Sequence, residues 1–391
     1  MSPQNDIWQR VGTWLWQVAA LTVKEFPQLV RDRAVFAYII YIFTLDIIIA
    51  AGGASMELGG ARVIVNDADR SMASRELIYR FRSPYFRLTD SAVHPDEALQ
   101  LLDRGDATVF LDIPPDFGET LLTGDESAVV QLQIDTSTAN VGYLASSYST
   151  RIASSLSDQW SARRLSASGI PPDRLPKIQN QRRIRFNADI NGAWFSCISE
   201  LLAVITIACI FLPAIALVRE KERGTVEQLL VSPLTPFQVM FSKTLAMMVV
   251  MLIGTAVSLF AIMQLMFDVP VRGSLALFFS LTALYAFTTA GLGMLAATFA
   301  RTSGQLGMLL MLIVFPIIML SGLWVQLESM PEWLRTVIDL TPLRYFIDIA
   351  YGILLRGAGL EIFGDSVLKM ALIGAALFSM GLWRFRRQFG G

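Results

Sequence analysis

Apolar residues run along this chain in six blocks, each close to the ~20 residues that carry a helix across a bilayer. They fall at about 34–54, 193–218, 239–267, 274–300, 306–327 and 367–384. The last is short and holds Lys369 near one end. Between the first two blocks the pattern changes to that of a water-soluble domain. Ala61–Val65 predicts a strand and Arg70–Phe81 a helix. Pro95, followed by Asp96 and Glu97, opens another helix, with acids placed against its N-terminal dipole; His94 just before it reads as a cap residue. Thr108–Ile113 predicts a strand, Pro114-Pro115 a helix start, and Val129–Ile134 alternates as a strand. Thr138 to about Leu165 reads as one long polar helix.

Two further stretches are amphipathic. Before the first block, Trp14, Trp16, Val18, Leu21 and Phe26 are interleaved with Arg10, Lys24 and Arg31, the composition of a helix lying in the membrane interface. After the fifth, Ser321-Gly322 breaks the apolar run. Pro331 and Thr341-Pro342 then start two short helices, with Thr341 as N-cap, expected to dip into the outer leaflet. The predicted fold is an α-helical integral membrane protein with six transmembrane helices and an inserted extracytoplasmic α/β domain between the first and second. Its parts are an interfacial helix over 1–33, the first span over 34–54, the α/β domain over 55–191 and the remaining membrane domain over 192–391.

Cationic residues gather at alternate ends of the blocks: Arg31 and Arg33, then Arg219, Lys221 and Arg223, Lys243, Arg301, and Arg384, Arg386 and Arg387. Cationic loops stay in the cytoplasm. Six spans place both termini there and the α/β domain outside, as expected for a multi-pass protein of a bacterial inner membrane. Composition agrees. Of 391 residues 53% are hydrophobic and only 17% charged, and mean hydropathy is +0.50. A net charge of −1 gives no electrostatic case for nucleic acid. One histidine excludes histidine cages, and Cys197 and Cys209, twelve residues apart on one helix, face directions about 120° apart. No nucleophile–base set is visible.

The most unusual stretch is Arg219–Lys243. Five consecutive charges, Arg219–Arg223, break out of apolar sequence, and Gly224 permits a turn. Thr225 and Gln228 have capping-box spacing. They open a two-turn helix bearing Val226, Leu229, Leu230 and Val231, which Ser232-Pro233 ends. Such a helix is not stable alone, so its leucines need a cover: the lipid surface, the protein's own helix ends, or a docked soluble partner. Thr235-Pro236 has the pattern of an N-cap and first helical residue. Within the spans, Asp46 near mid-depth is costly. It reads either as a pathway or coupling group or as a paired acid joining helices; Glu200 lies nearer the outer water. Both are pathway candidates. Gln264, Gln305 and Gln326 are candidates for interhelical hydrogen bonds, and Gly291, Gly293 and Ala297 permit close helix approach.

The layout, with the strings REKERGTVEQLLVSPL at 219–234, FLDIPPDFGETLLTG at 110–124, ARVIVNDADRS at 61–71, QIDTSTAN at 133–140 and SG…MPEWL…LTPLRYFIDIAYGILLRG at 321–357, resembles the permease subunits of type-2 (ABC-2-type) ABC exporters, in the multidrug efflux branch. The resemblance implies that 219–235 contains a coupling helix seated in a groove of a separate ATPase subunit. It implies coupling roles for Glu220, Glu222, Arg223, Gly224, Thr225, Glu227, Gln228, Leu229 and Leu230. Thr341 stands where this family often has asparagine. The sequence has no GxxxxGK[ST] phosphate loop. This chain is therefore expected to be no enzyme and to hold no cofactor, ATP and magnesium being bound by the partner ATPase. The other expected partners are a second permease copy or a sister permease, membrane lipid, and a periplasmic adaptor. Two other readings stand beside export of drugs or lipids: a secondary transporter driven by an ion gradient, and a membrane-anchored scaffold or receptor using its outer domain.

Overall fold

A computed structural model describes residues 3–53, 60–91, 95–123, 127–135, 139–167, 192–224, 234–325, 327 and 330–389. The predicted helix at 225–231, with Thr225, Glu227, Gln228, Leu229 and Leu230, lies outside these residues, as do His94 and Gln326. The chain divides into two units, Ser55–Ile184 and the remainder.

The larger unit is helical. It comprises α1 (Pro3–Arg31), α2 (Arg33–Phe43), α3 (Leu45–Gly53), α8 (Gly192–Glu222), α9 (Pro236–Val257), α10 (Leu275–Phe299), α11 (Ser303–Leu320), α12 (Glu332–Ile338), α13 (Pro342–Leu354) and α14 (Leu360–Phe389). Six described helices are long and apolar enough to cross a membrane: Arg33–Gly52, Gly192–Glu222, Pro236–Gln264, Leu275–Phe299, Ser303–Leu320 and Leu360–Arg387. The protein is thus a multi-pass membrane protein. Helix α8 is its centre, with side chains such as Leu201, Val204 and Leu217 fully buried. Gly293 of α10 lets that helix press against α8: a Cβ there would lie 2.0 Å from the Ile210 carbonyl oxygen. Gly291 serves α14 likewise, at 2.5 Å from the Phe378 nitrogen.

Several helix ends differ from the sequence expectation. The first span breaks at Thr44 into α2 and α3. Ser258 Oγ donates to the Phe43 carbonyl at that break, 2.5 Å away, and Ser258 itself opens a π-helical turn, Ser258–Gln264. The last helix begins seven residues earlier than its apolar block, at Leu360, and Asp365 and Lys369 pair at i,i+4 (2.6 Å) along it. Helix α13 does not float on a surface. Leu343, Phe346, Ile349 and Ile353 are buried, and Phe346 stacks on Tyr285 at 4.1 Å. Thr341 occupies the N-cap position without capping; its hydroxyl donates backwards to the Ile338 carbonyl, 2.6 Å away. Gln305 bonds the Arg301 amide four residues away rather than another helix.

The smaller unit holds a four-stranded mixed sheet in the order β2-β1-β3-β4, with β1 (Ala61–Asp67), β2 (Phe86–Ser91), β3 (Val109–Ile113) and β4 (Gln131–Ile134). Strand β1 pairs parallel with β2 and β3, and β3 antiparallel with β4. Helices α4 (Met72–Arg80), α6 (Phe117–Thr123) and α7 (Ala139–Ala167) cover one face through Leu77, Phe117 and Leu156. Helix α5 (Pro95–Asp103) covers Ile64 and Phe110 on the other. Burial on both faces explains why β1 and β3 read as continuous apolar runs.

Candidate functional site

Helix α8 does not end where its charges begin. It runs through Glu222 and stops at Gly224, whose φ of +69° is the left-handed C-terminal turn that favours glycine. Arg219–Glu222 is therefore the last turn of a central helix and not a loop. Successive helical residues point about 100° apart, so four in a row radiate to every side, and each meets a different neighbour.

Arg219 pairs with Asp32, which also caps α2 through the Val35 amide at 3.1 Å. Glu220 and Glu25 of α1 share the ammonium of Lys243 on α9, at 2.8 and 2.7 Å. These three side chains are almost wholly buried, at 7%, 5% and 2% exposure. Lys221 Nζ donates to the Ala297 carbonyl at 2.6 Å and the Ala300 carbonyl at 3.4 Å, closing the C-terminal end of α10 where unpaired carbonyls accumulate. Glu222 accepts from the Ser303 amide at 2.6 Å and the Ser303 hydroxyl at 2.8 Å, placing a carboxylate on the N-terminus of α11. Arg223 and Gly224 are exposed.

This changes what the sequence implies for these residues. Glu220 is buried inside the bundle on Lys243; Glu222 bonds Ser303 at the start of α11. Glu25, Asp32 and Ser303 escaped the sequence reading, and Lys243 entered it only as a topology marker. One signal was available: a lone lysine within an apolar block requires a partner.

Segment 225–233 is thus bracketed. Before it stands the last turn of α8, tied to neighbouring helices on every side. After it, Thr235 and Gln238 form a capping box at the start of α9, and Gln238 Nε2 donates to Gln17 Oε1 of α1 at 2.8 Å. Helix α1 therefore holds α9 directly, through Gln17 and Glu25, and meets the last turn of α8 through the shared Lys243 ammonium. Trp16, Val23 and Val30 are among its exposed residues.

Toward the other end of α8, the side chains of Asp46 of α3 and Glu200 are neighbours. Beside Glu200 in sequence, the Ser199 hydroxyl shares a hydrogen bond with the Tyr351 hydroxyl, 2.6 Å away. Between α2, α8 and α11 lies an apolar cavity of about 240 Å³ bordered by Tyr38, Phe211, Met311 and Phe315.

Known proteins share this arrangement of sequence. Residues 34–383 match the family model described as ABC-2 family transporter protein. The chain is 33% identical over 370 residues to the inner membrane transport permease YhhJ of Escherichia coli K12, covering 95% of this chain and 97% of that one. It is 29% identical over 375 residues to the probable multidrug ABC transporter permease YbhR of the same organism, covering 96% and 98%. For the probable multidrug ABC transporter permease YbhS the figures are 28% over 372 residues, covering 94% and 95%. A membrane bundle with a bracketed segment at the end of its central helix, matched over nearly its whole length to transport permeases, belongs to the ABC-2 transporter family.

Proposed function

We propose that this chain is the membrane-spanning subunit of an ATP-driven exporter of amphipathic compounds such as drugs or lipids. The observation that carries the reading is the anchoring of Arg219–Glu222 to the start of α2, to α1 and α9, and to the facing ends of α10 and α11. A push on segment 225–233 cannot be absorbed locally by a turn held on every side. It is passed to the whole bundle, which is what a permease moved by another protein requires.

Family membership implies an ABC ATPase partner. In this reading the partner binds ATP and magnesium, and this chain is no enzyme. Gly224, Thr225, Glu227, Gln228, Leu229 and Leu230 meet the ATPase, while Glu220, Glu222 and Arg223 belong to the flank behind them. A second copy or a sister permease completes the path, and the cavity beside Tyr38, Phe211 and Met311 accepts the apolar part of the cargo. Both termini and segment 225–233 are cytoplasmic, and the α/β unit is periplasmic, where an adaptor protein is its expected partner.

The test is co-purification in mild detergent with the products of neighbouring genes. A phosphate-loop ATPase should co-elute with the wild-type chain and be lost from Leu229→Asp/Leu230→Asp, with the variant still in the membrane. Undiminished co-elution and transport in that variant would overturn the reading.

The closeness of the Asp46 and Glu200 carboxyls favours one competing reading, a proton-driven transporter. In vesicles, transport that persists without ATP on a proton gradient alone would establish it.

A further inference from the structure

A cavity of about 300 Å³ opens between α1, α2, α8 and α9, beside the Glu25–Lys243–Glu220 cluster. Its two kinds of wall are separated. Leu29, Val35, Leu212, Ile215 and Met247 are buried and form an apolar floor. Lys24, Arg219 and Arg223 stand along its charged side. The acids of that side are already engaged: Glu25 and Glu220 hold Lys243, and Asp32 holds Arg219. Lys24 and Arg223 are exposed and make no ion pair among the described residues. The charge left over at the opening is therefore positive.

The location adds the second half of the argument. Helix α1 turns Gln17 and Glu25 inward, onto Gln238 and Lys243, and turns Trp16, Val23 and Val30 outward. A helix that carries exposed Trp16, Val23 and Val30 beside exposed Lys24 and Arg31 has the amphipathic surface of one lying at a bilayer interface. The cavity opens beside that helix, at the end of the spans where Arg31, Arg33, Arg219 and Arg223 gather. Cations over an apolar floor at a bilayer surface match an anion carried on an acyl chain. A carboxylate side chain from a docked protein would use the cations and leave the floor empty.

We propose that this cavity binds the phosphate headgroup of an anionic phospholipid from the adjoining leaflet, with Lys24 and Arg223 on the phosphate and the chain roots on Leu29, Val35 and Leu212. The lipid would fill the gap between α1 and the last turn of α8, and so stiffen the flank of segment 225–233. Lipid binding itself does not depend on the proposed ATPase, so the two ideas fail separately.

The test is native mass spectrometry of the delipidated chain in detergent, titrated with phosphatidylglycerol or with phosphatidylcholine of the same acyl chains. The wild type should retain phosphatidylglycerol preferentially. Lys24→Gln/Arg223→Gln should lower that preference by about 25-fold, at about fivefold per cation, with an unchanged elution volume. Ala216→Phe, which fills the cavity and removes no charge, should weaken retention too. Equal retention of both lipids, or a preference that survives both variants, would overturn the proposal. Capture of single-chain dodecyl phosphate with no retention of phosphatidylglycerol would also overturn it, and would assign the cavity to an anionic cargo.

Discussion

Lys243 shows how a single side chain sets local architecture. A buried ammonium is tolerated when it is paired, and here it satisfies two carboxylates at once. Replacing it by methionine strands Glu25 and Glu220, at an expected cost of about 3–5 kcal/mol. Thermal unfolding in detergent checks this. Glu25→Gln/Lys243→Met/Glu220→Gln, which removes all three charges, should recover part of the loss. In the α/β unit, Glu76 accepts from Arg80 and Arg163, each at 3.0 Å, and from the Trp160 indole at 3.2 Å. Burial alone would raise its pKa, but the two guanidinium groups outweigh it and hold the carboxyl below its ordinary value of 4.5. A depressed carboxylate pKa stabilises the fold above the ordinary value, and the benefit fades as pH falls through the folded one. The gap in hydrogen-exchange protection of α4 between wild type and Glu76→Gln should be present near pH 7 and shrink as pH falls below 4.5.

At the scale of elements, close approach of helices decides what is tolerated. Gly293→Ala places a methyl group 2.0 Å from the Ile210 carbonyl. It should force α10 from α8 and cost about 1–3 kcal/mol or more, seen as lost monodisperse yield. Gly304→Ala in α11, with nothing within 4 Å of the added carbon, should keep full yield and gain up to about 1 kcal/mol of helix propensity. Elements also differed in legibility. Long apolar blocks and proline-led helix starts were read from sequence, since each is a local signal. Strand β2, reading FRLTDS, was not. It is the outer strand beside β1, so it needs little apolar patterning; Phe86 is its one wholly buried apolar residue.

For the molecule as a whole, the test is the source of energy. In inverted vesicles carrying the ATPase partner, uptake should require ATP and survive collapse of the proton gradient. Asp46→Asn should then lower the rate without making it gradient-dependent. Uptake that stops on collapse, and that Asp46→Asn abolishes, would move the assignment to a gradient-driven carrier and give Asp46 and Glu200 a proton-carrying role. Neutralising Glu222 by Glu222→Gln should leave α8 folded while weakening its hold on α11, lowering transport more than ATPase co-elution.

Sequence by itself determined the six apolar blocks, the α/β character of the inserted segment, and the membrane class, because these follow from composition and periodicity along the chain. It also marked Arg219–Arg223 as exceptional. Only the tertiary structure decided what those charges do. An acid or a lysine carries no mark of its partner, and Glu25 lies 218 residues from Lys243. The run looked like a loop because charge normally means water. It is instead the last turn of a central helix, where every direction is occupied by another helix end. The same holds for Asp46 and Glu200, far apart in sequence and neighbours in space, since a contact between separated segments exists only once packing has brought them together.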